Sequence, residues 1–141
     1  MKTVAETYGI SPARADEIYT RLIEWLAENK RYRRPDCTAE AFSLHAGLHR
    51  SYISAAVRMG GGGSFSEMVG RLRVRDACRL LRAPRHAALS AEEIGIAAGF
   101  SSRQSFYNAF RKYTGRTPRA YREEGLSGRE TATGAETPAA D

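Results

Sequence analysis

A pair of short helices separated by a glycine, residues 92–122, constrains the fold of this chain most strongly. The first helix should end at Gly99, because a left-handed turn residue is most favourable as glycine. The second helix is apolar at Phe106, Ala109, Phe110 and Tyr113. This spacing of i, i+3, i+4 and i+7 places the four side chains on one buried helix face. The stretch therefore predicts a helix-turn-helix.

The opposite face of this second helix is polar and basic. Its side chains are Arg103, Gln104, Ser105, Tyr107, Asn108, Arg111 and Lys112. Residues 99–122 contain six Lys or Arg and no acid. Cationic and amide side chains suit phosphates and base edges. We therefore expect a DNA-recognition helix, with Ser101 or Ser102 capping its first turn.

The charge of the chain is unevenly distributed. The formal net charge is +6 at pH 7. Residues 125–141 contain one Arg and three acids, so residues 1–124 carry +8. A basic body suits a polyanionic partner, with nucleic acid ahead of anionic lipid, although a merely solubilising surface would have the same charge.

The cysteines and histidines show no spacing typical of a chemical site. Cys37 and Cys78 form no CxxC motif and no Cys/His cluster. Two isolated cysteines indicate packing roles in a reducing compartment. We therefore expect no metal, no cofactor and no catalytic residue.

The chain has no signal peptide and no apolar run of about 20 residues, which predicts a soluble cytoplasmic protein.

The rest of the chain predicts an all-α fold, since helical periodicity dominates and no strand-like alternation of useful length occurs. Its length of 141 residues allows one domain or two small lobes. The predicted divisions are a weakly structured segment at 1–15, an N-terminal helix and first helix-turn-helix at 16–63, a connecting helix at 64–85, a second helix-turn-helix with its closing turn at 86–124, and a disordered tail at 125–141.

The first helix-turn-helix is a weaker copy of the second, about fifty residues upstream. Thr38 can cap its first helix, and Gly47 with Leu48 forms the turn. In its second helix the predicted inward residues are Tyr52, Ile53, Ala56 and Val57, and the predicted outward residues are Arg50, Ser51, Ser54, Ala55 and Arg58. Two copies of one motif are much less expected by chance than one.

The segment between the two motifs predicts a joint and a spacer. Four glycines at 60–63 indicate a flexible joint. The apolar spacing over residues 64–81 then predicts a helix of about 27 Å. Two helices that read successive major grooves lie about 34 Å apart, so a helix of this length suits a connector between two recognition helices.

Together these residues resemble the DNA-binding domain of AraC/XylS-type transcription regulators. The signature in the second half is Ile94, Gly99-Phe100-Ser101, Phe106, Phe110-Arg111-Lys112, Gly115, Thr117-Pro118 and Tyr121-Arg122. The weaker matches in the first half are Phe42, Gly47-Leu48, Ile53 and Gly63-Ser64-Phe65. The resemblance covers about residues 18–122, and the flanks at 1–17 and 125–141 are too short for the sensor domain that many relatives carry.

The resemblance implies two helix-turn-helix subdomains joined by a helix, each placing one helix in a major groove of double-stranded DNA. The family's DNA-facing positions fall on Arg50, Ser51, Ser54, Ala55 and Arg58 in the first recognition helix, and on Arg103, Gln104, Tyr107, Asn108 and Arg111 in the second. Ser102 and Lys112 complete the expected set of DNA contacts. The implied function is sequence-specific, non-enzymatic transcription regulation.

The departures from the family pattern lie mostly in the first half. Ser43 and Gly95 occupy positions where the family usually has alanine, and His49 replaces the usual capping serine. Ser54 and Ala55 are poor base readers, which motivates a second hypothesis: only the second helix-turn-helix binds DNA, while the first docks a protein such as an RNA polymerase subunit. A third hypothesis is an enzyme, because related domains occur in a cysteine-dependent DNA-repair methyltransferase. No His, Glu and Asp constellation surrounds Cys37 in sequence, so we disfavour catalysis.

Overall fold

A computed structural model describes residues 9–61 and 63–131, with side chains through residue 126. Helices and turns make up this part of the chain, and it contains no strand, which confirms the predicted all-α class. The α-helices of these residues are α1 (Pro12–Ala27), α2 (Ala39–Ala46), α3 (Arg50–Met59), α4 (Phe65–Arg82), α5 (Ala91–Ala97), α6 (Arg103–Thr114) and α7 (Pro118–Thr131). Short 3-10 helices at Glu28–Arg33 and Pro84–His86 follow α1 and α4.

The chain divides into two compact units, Met1–Val69 and Gly70–Asp141. The first unit contains the helix pair α2 and α3, and the second contains the pair α5 and α6. The division falls inside α4, an α-helix of 18 residues. The predicted architecture of two helix-turn-helix subdomains and a long connecting helix is therefore present.

The core of the first unit forms where α1 packs on α3. Ser11 caps α1 by accepting a hydrogen bond from the backbone N–H of Arg14 at 3.1 Å. Ile18, Leu22 and Leu26 then lie on one face of the helix, and all three are fully buried. Burying an aliphatic side chain contributes about 1.5–3 kcal/mol, so this face supplies much of the stability of the unit.

The first helix-turn-helix has the capping residues that its sequence predicts. The Thr38 hydroxyl accepts from the backbone N–H of Ala41 at 3.1 Å. Gly47 ends α2 in a left-handed conformation, with φ 69°. The backbone N–H of Leu48 then donates to the Ser43 carbonyl at 3.1 Å, which closes the turn before α3.

An aromatic row holds the second unit together. The ring centroids of Phe100 and Phe106 lie 5.2 Å apart, those of Phe106 and Phe110 lie 5.7 Å apart, and those of Phe110 and Tyr121 lie 5.6 Å apart. Aromatic pairs at these distances stabilise a core beyond the burial of their area. The row therefore packs the turn before α6, the helix α6 and the helix α7 against one another.

Two arginines fasten α7 to the end of α4. The Arg122 guanidinium donates to the carbonyls of Leu81, His86 and Leu89 at 3.0, 3.2 and 2.7 Å. In return, Arg82 donates to the Tyr121 carbonyl at 2.9 Å through Nη2. Hydrogen bonds from a charged donor are the stronger kind, so these contacts fix the loop that leads into α5.

The helix ends differ from the predicted limits. α1 ends at Ala27, because Asn29 and Lys30 take left-handed backbone angles that interrupt a helix. Its start at Pro12 lies within the segment predicted to be weakly structured, of which residues 1–8 lie outside the described residues. In the predicted joint at 60–63, residue 62 also lies outside them.

The helix α7 continues to Thr131, beyond residue 124, where the second helix-turn-helix and its closing turn were expected to end. Gly125 lies close to the Arg82 side chain, since a Cβ at Gly125 would be 2.5 Å from Arg82 Nε. Arg116 Nε also lies 2.8 Å from a carboxylate oxygen of Glu124. These contacts accompany the continuation of the helix past Arg122, and residues 132–141 lie outside the described residues.

The packing at Gly95 gives a stability prediction. A Cβ at this position would be 2.4 Å from a ring carbon of buried Phe106, whereas a Cβ at Gly70 of α4 would meet Tyr113 at an ordinary 3.6 Å. Gly95→Ala should lower the free energy of unfolding by about 1 kcal/mol, because overpacking outweighs the gain in helix propensity. The matched control Gly70→Ala should raise it by up to about 1 kcal/mol. Urea unfolding measures both, and equal stabilisation by the two alanines would contradict the packing described.

Candidate nucleic-acid interface

The helix α6 is fixed at both ends by its own sequence. The Ser102 hydroxyl accepts from the backbone N–H of Ser105 at 3.1 Å, and the backbone N–H of Ser102 donates to the Ser105 hydroxyl at 3.3 Å. Gly115 ends the helix with φ 76°. Ser102 is therefore the capping residue, and it stays exposed at the helix N-terminus, where backbone N–H groups attract phosphate.

The aromatic core orients α6. Phe106 and Phe110 are buried on one face, at 1% and 0% exposure. The predicted DNA-contacting side chains that are exposed on this helix are Arg103, Gln104, Asn108, Arg111 and Lys112. Tyr107 is half-buried at the edge of this surface. The structure thus brings the predicted residues of the second set onto one accessible surface, which we call the α6 surface.

An amide pair lies on the α6 surface. Gln104 donates from Nε2 to Asn108 Oδ1 at 3.0 Å, one helical turn away. Both side chains are exposed, so the pair faces solvent. A side-chain amide offers a donor and an acceptor together, which matches the N6 and N7 edge of adenine. The hydrogen bond between the two amides orders them before any partner binds.

A carboxylate from α5 organises the basic edge of the same surface. Glu92 Oε2 accepts from the Tyr107 hydroxyl at 3.0 Å and lies 3.3 Å from both Arg103 Nε and Arg119 Nη2. The Arg103 guanidinium also lies 4.5 Å from the centroid of the Tyr107 ring, a cation–π distance. Glu92, Arg103, Tyr107 and Arg119 therefore form one cluster, which we call the Glu92 cluster.

The position of Glu92 strongly favours its charged form. A hydrogen bond from its own backbone N–H in the first turn of α5 lowers the pKa of this carboxyl from 4.5 to about 2, helped by the Tyr107 hydroxyl, Arg103 and Arg119. Partial burial opposes this by raising the pKa. Free N–H groups at a helix N-terminus stabilise an anion, so Glu92 stays negative at neutral pH.

The helix α3 presents a thinner surface in the first unit. His49 caps it, since Nδ1 accepts from the backbone N–H of Ser51 at 3.1 Å. The exposed predicted residues are Arg50, Ser51, Ser54 and Arg58. The Ser51 hydroxyl lies 2.9 Å from the same His49 nitrogen. This surface, the α3 surface, has two cations and two hydroxyls but no amide.

Two orientations predicted for α3 are wrong. Ala55 was expected to face DNA, yet it is fully buried, so its methyl group cannot reach a base. Tyr52 was expected to face inward, yet it is 43% exposed. Alanine fits either face of an amphipathic helix, and packing of α3 on α1 decides between them. Tyr52 lies two positions from both Arg50 and Ser54, about 200° away around the helix, so it is exposed outside the α3 surface.

Sequence reasoning also missed that Glu92 and Arg119 lie at the edge of the α6 surface. Arg119 lies at the start of α7 and is 66% exposed, and Glu92 lies on a different helix from the one predicted to read DNA. The basic run of residues 99–122 contains Arg119, which was a signal for it. No local pattern pairs it with Glu92, which lies 27 positions earlier in the chain.

Among the described residues, the Cys, His, Asp and Glu side chains form no candidate metal site. Cys37 and Cys78 are free and buried. Within residues 9–61 and 63–131, no three His, Cys, Asp or Glu side chains come together in a group suited to a metal ion. No helix in this part of the chain is long and apolar enough to cross a bilayer.

Comparisons with known proteins agree with this geometry. A family described as a helix-turn-helix domain matches residues 42–124, more than half of the chain. The fold is similar to the C-terminal domain of AraT, a response regulator from Geobacillus stearothermophilus, with a TM-score of 0.67 and 25% identity over 81% of this chain and 86% of that one. No curated protein matches at a significant level.

A second solved structure shares the fold alone. It is a protein of unknown function from Listeria innocua, with a TM-score of 0.63 and 20% identity over 74% of this chain and 94% of that one. Both likenesses extend over most of this chain, so they concern more than one isolated helix-turn-helix.

The lowered pKa of Glu92 predicts how stability depends on pH. Because the folded pKa is about 2 and the ordinary value is 4.5, the ionised carboxylate adds stability above pH 4.5 that is lost as the pH falls towards 2. The difference in unfolding free energy between the natural chain and Glu92→Gln should therefore shrink as the pH falls from 6 towards 2. Urea unfolding at several pH values measures it. A difference that stays constant across this range would contradict the assigned pKa.

Proposed function

The chain belongs to the AraC-type family of helix-turn-helix DNA-binding regulators, and from this premise we propose that it reads a specific DNA sequence with both α3 and α6. In this proposal the two recognition helices enter adjacent major grooves of one duplex. The family is generally non-enzymatic, and the proposed partner is double-stranded DNA. The observation that carries the proposal is the α6 surface, in which amide and cationic side chains are exposed opposite a buried aromatic face.

The α6 surface supplies most of the base reading. Gln104 and Asn108 are ordered against each other at 3.0 Å and have the donor and acceptor groups that pair with adenine. Arg103, beside them, has the planar fork that pairs with guanine. Each good bidentate contact with a base is worth about 1–3 kcal/mol of discrimination. Tyr107 adds an aromatic face and a hydroxyl at the edge of this surface.

The surrounding cations and the helix start position the phosphate backbone. Arg111 and Lys112 are exposed in the last turns of α6, and Ser102 stands at its first turn. Phosphate contacts fix the register of a protein on DNA without reading its sequence. Arg116 is less available for this role, because its Nε lies 2.8 Å from a Glu124 carboxylate oxygen.

The α3 surface contributes more to phosphate contacts than to base reading. Arg50 and Arg58 lie eight positions apart on α3, and both are exposed, which suits two phosphate contacts. Ser51 and Ser54 are short side chains with single hydroxyls, and a serine discriminates weakly among bases. Sequence discrimination in this proposal therefore concentrates on α6.

Burial of Ala55 favours a second candidate function, because it leaves the α3 surface with few groups that read bases. In this alternative only the second helix-turn-helix binds DNA. The first unit would then dock a protein, for example a subunit of RNA polymerase. Both candidates keep the same fold and the same role for α6, so they differ only in what the α3 surface contacts.

Fluorescence anisotropy of the full chain with labelled duplexes separates these proposals. Gln104→Ala with Asn108→Ala should weaken binding to a selected duplex at least tenfold, at about 1–3 kcal/mol per lost base contact, and barely change binding to a scrambled duplex. Arg50→Ala with Arg58→Ala should weaken both duplexes and lower the salt slope by about two, one for each lost phosphate contact. Arg21→Ala, an exposed arginine of α1, is the control for general charge.

The outcomes are distinct. If the arginine pair changes DNA binding no more than Arg21→Ala does, the α3 surface does not contact DNA and the alternative is favoured. If the natural chain binds every duplex with micromolar or weaker affinity that vanishes by physiological salt, sequence-specific binding is wrong.

A further inference from the structure

The Glu92 cluster places an anion inside a surface that otherwise suits a polyanion. Glu92 lies on α5, outside the recognition helix, and its side chain is 29% exposed. Its Oε2 accepts from the Tyr107 hydroxyl and contacts Arg103 and Arg119, which are 64% and 66% exposed. An acid at a DNA-binding surface repels phosphates, so its presence there calls for a physical role.

The contacts within the cluster restrain the Arg103 side chain on two sides. Nε lies 3.3 Å from Glu92, and the guanidinium stacks over the Tyr107 ring at 4.5 Å. When Nε is paired with a carboxylate and one face of the guanidinium lies over a ring, the two terminal amino groups of the arginine can still donate to a further partner. These groups form the fork that pairs with the O6 and N7 atoms of guanine. A free arginine would lose rotamer entropy on taking this arrangement, and an arginine that is already ordered loses less.

The same contacts restrain both arginines from phosphates. A guanidinium that is paired with a carboxylate must break that ion pair before it can fully neutralise a phosphate. Repulsive elements of this kind reduce binding to wrong partners more than to the right one, which raises specificity. A cation that engages any duplex would otherwise strengthen nonspecific binding, since nonspecific affinity arises from phosphate contacts.

We propose that Glu92 is a positioning residue for sequence discrimination: it directs Arg103 to a guanine and withholds Arg103 and Arg119 from nonspecific phosphates. This inference rests on the proposed function of DNA reading by α6. Tyr107 has a matching role, because its hydroxyl holds the carboxylate and its ring supports the guanidinium. Neither role requires Glu92 itself to contact DNA.

A plain structural role for Glu92 predicts a different result. An acid in the first turn of a helix stabilises that helix through its dipole, and exposed ion pairs add little more. Loss of such a contact would weaken binding to every duplex to the same extent, through a less stable α5. The positioning role instead predicts opposite changes for specific and nonspecific duplexes.

The test uses the full chain, a duplex enriched from a random pool by the natural chain, and a scrambled duplex of the same composition. Glu92→Gln keeps the side-chain shape and an acceptor for Tyr107 but removes the charge. It should bind the scrambled duplex more tightly and the enriched duplex less tightly, so that the ratio of the two affinities falls about tenfold. Glu123→Gln on α7 is the control, because it removes the same charge from an exposed site and should leave the ratio unchanged.

A second variant keeps every charge. Tyr107→Phe removes the hydroxyl that holds Glu92, so the affinity ratio should fall in the same direction by a smaller factor, with tighter binding to the scrambled duplex, which loss of a direct DNA contact by this hydroxyl would not produce. Thermal unfolding of each variant shows whether the second unit remains folded. An unchanged ratio in both Glu92→Gln and Tyr107→Phe, or equal weakening on both duplexes, overturns the positioning role. If the natural chain enriches no sequence, the proposed function fails, and this inference fails with it.

Discussion

The contact between Phe106 and Gly95 determines which face of α6 meets solvent. The ring lies where a Cβ on Gly95 would be, so α5 and α6 approach each other closely only because that residue has no side chain. Side chains two positions apart lie about 200° apart around a helix. Burial of Phe106 and Phe110 therefore exposes Gln104 and Asn108 on the opposite side. The exposure of the α6 surface is thus a geometric consequence of a core contact, and the Glu92 cluster orders the side chains at its edge.

Much of the fold could be predicted from sequence because its signals are local. Ser90 caps α5, and Glu93 returns the hydrogen bond three residues later, within one turn of chain. Gly99 takes the positive φ expected of the residue that ends a helix before a turn. The buried face of α6 follows from the spacing of two phenylalanines. Such features depend on neighbours within a few residues, so the sequence specifies them without knowledge of the tertiary structure.

The features that the sequence did not reveal depend on contacts between distant residues. The orientation of Ala55 and Tyr52 depends on how α3 packs against α1, and small residues carry little information about their own burial. The pairing of Glu92 with Arg119 joins positions that lie on different helices. The continuation of α7 past Gly125 involves packing near Arg82, although the composition there favours disorder. Each of these features involves a tertiary contact that no local pattern encodes.

Selection of binding sites from random duplex DNA tests the central claim, that two recognition helices of unequal reading power contact one duplex, most directly. We expect two blocks of preferred base pairs with centres about one helical turn, or 10–10.5 base pairs, apart. The block read by α6 should be the more sharply defined and should contain adenine and guanine at the positions contacted by Gln104, Asn108 and Arg103. A single block would limit reading to one helix, and a pool that enriches no sequence would show that neither helix reads DNA.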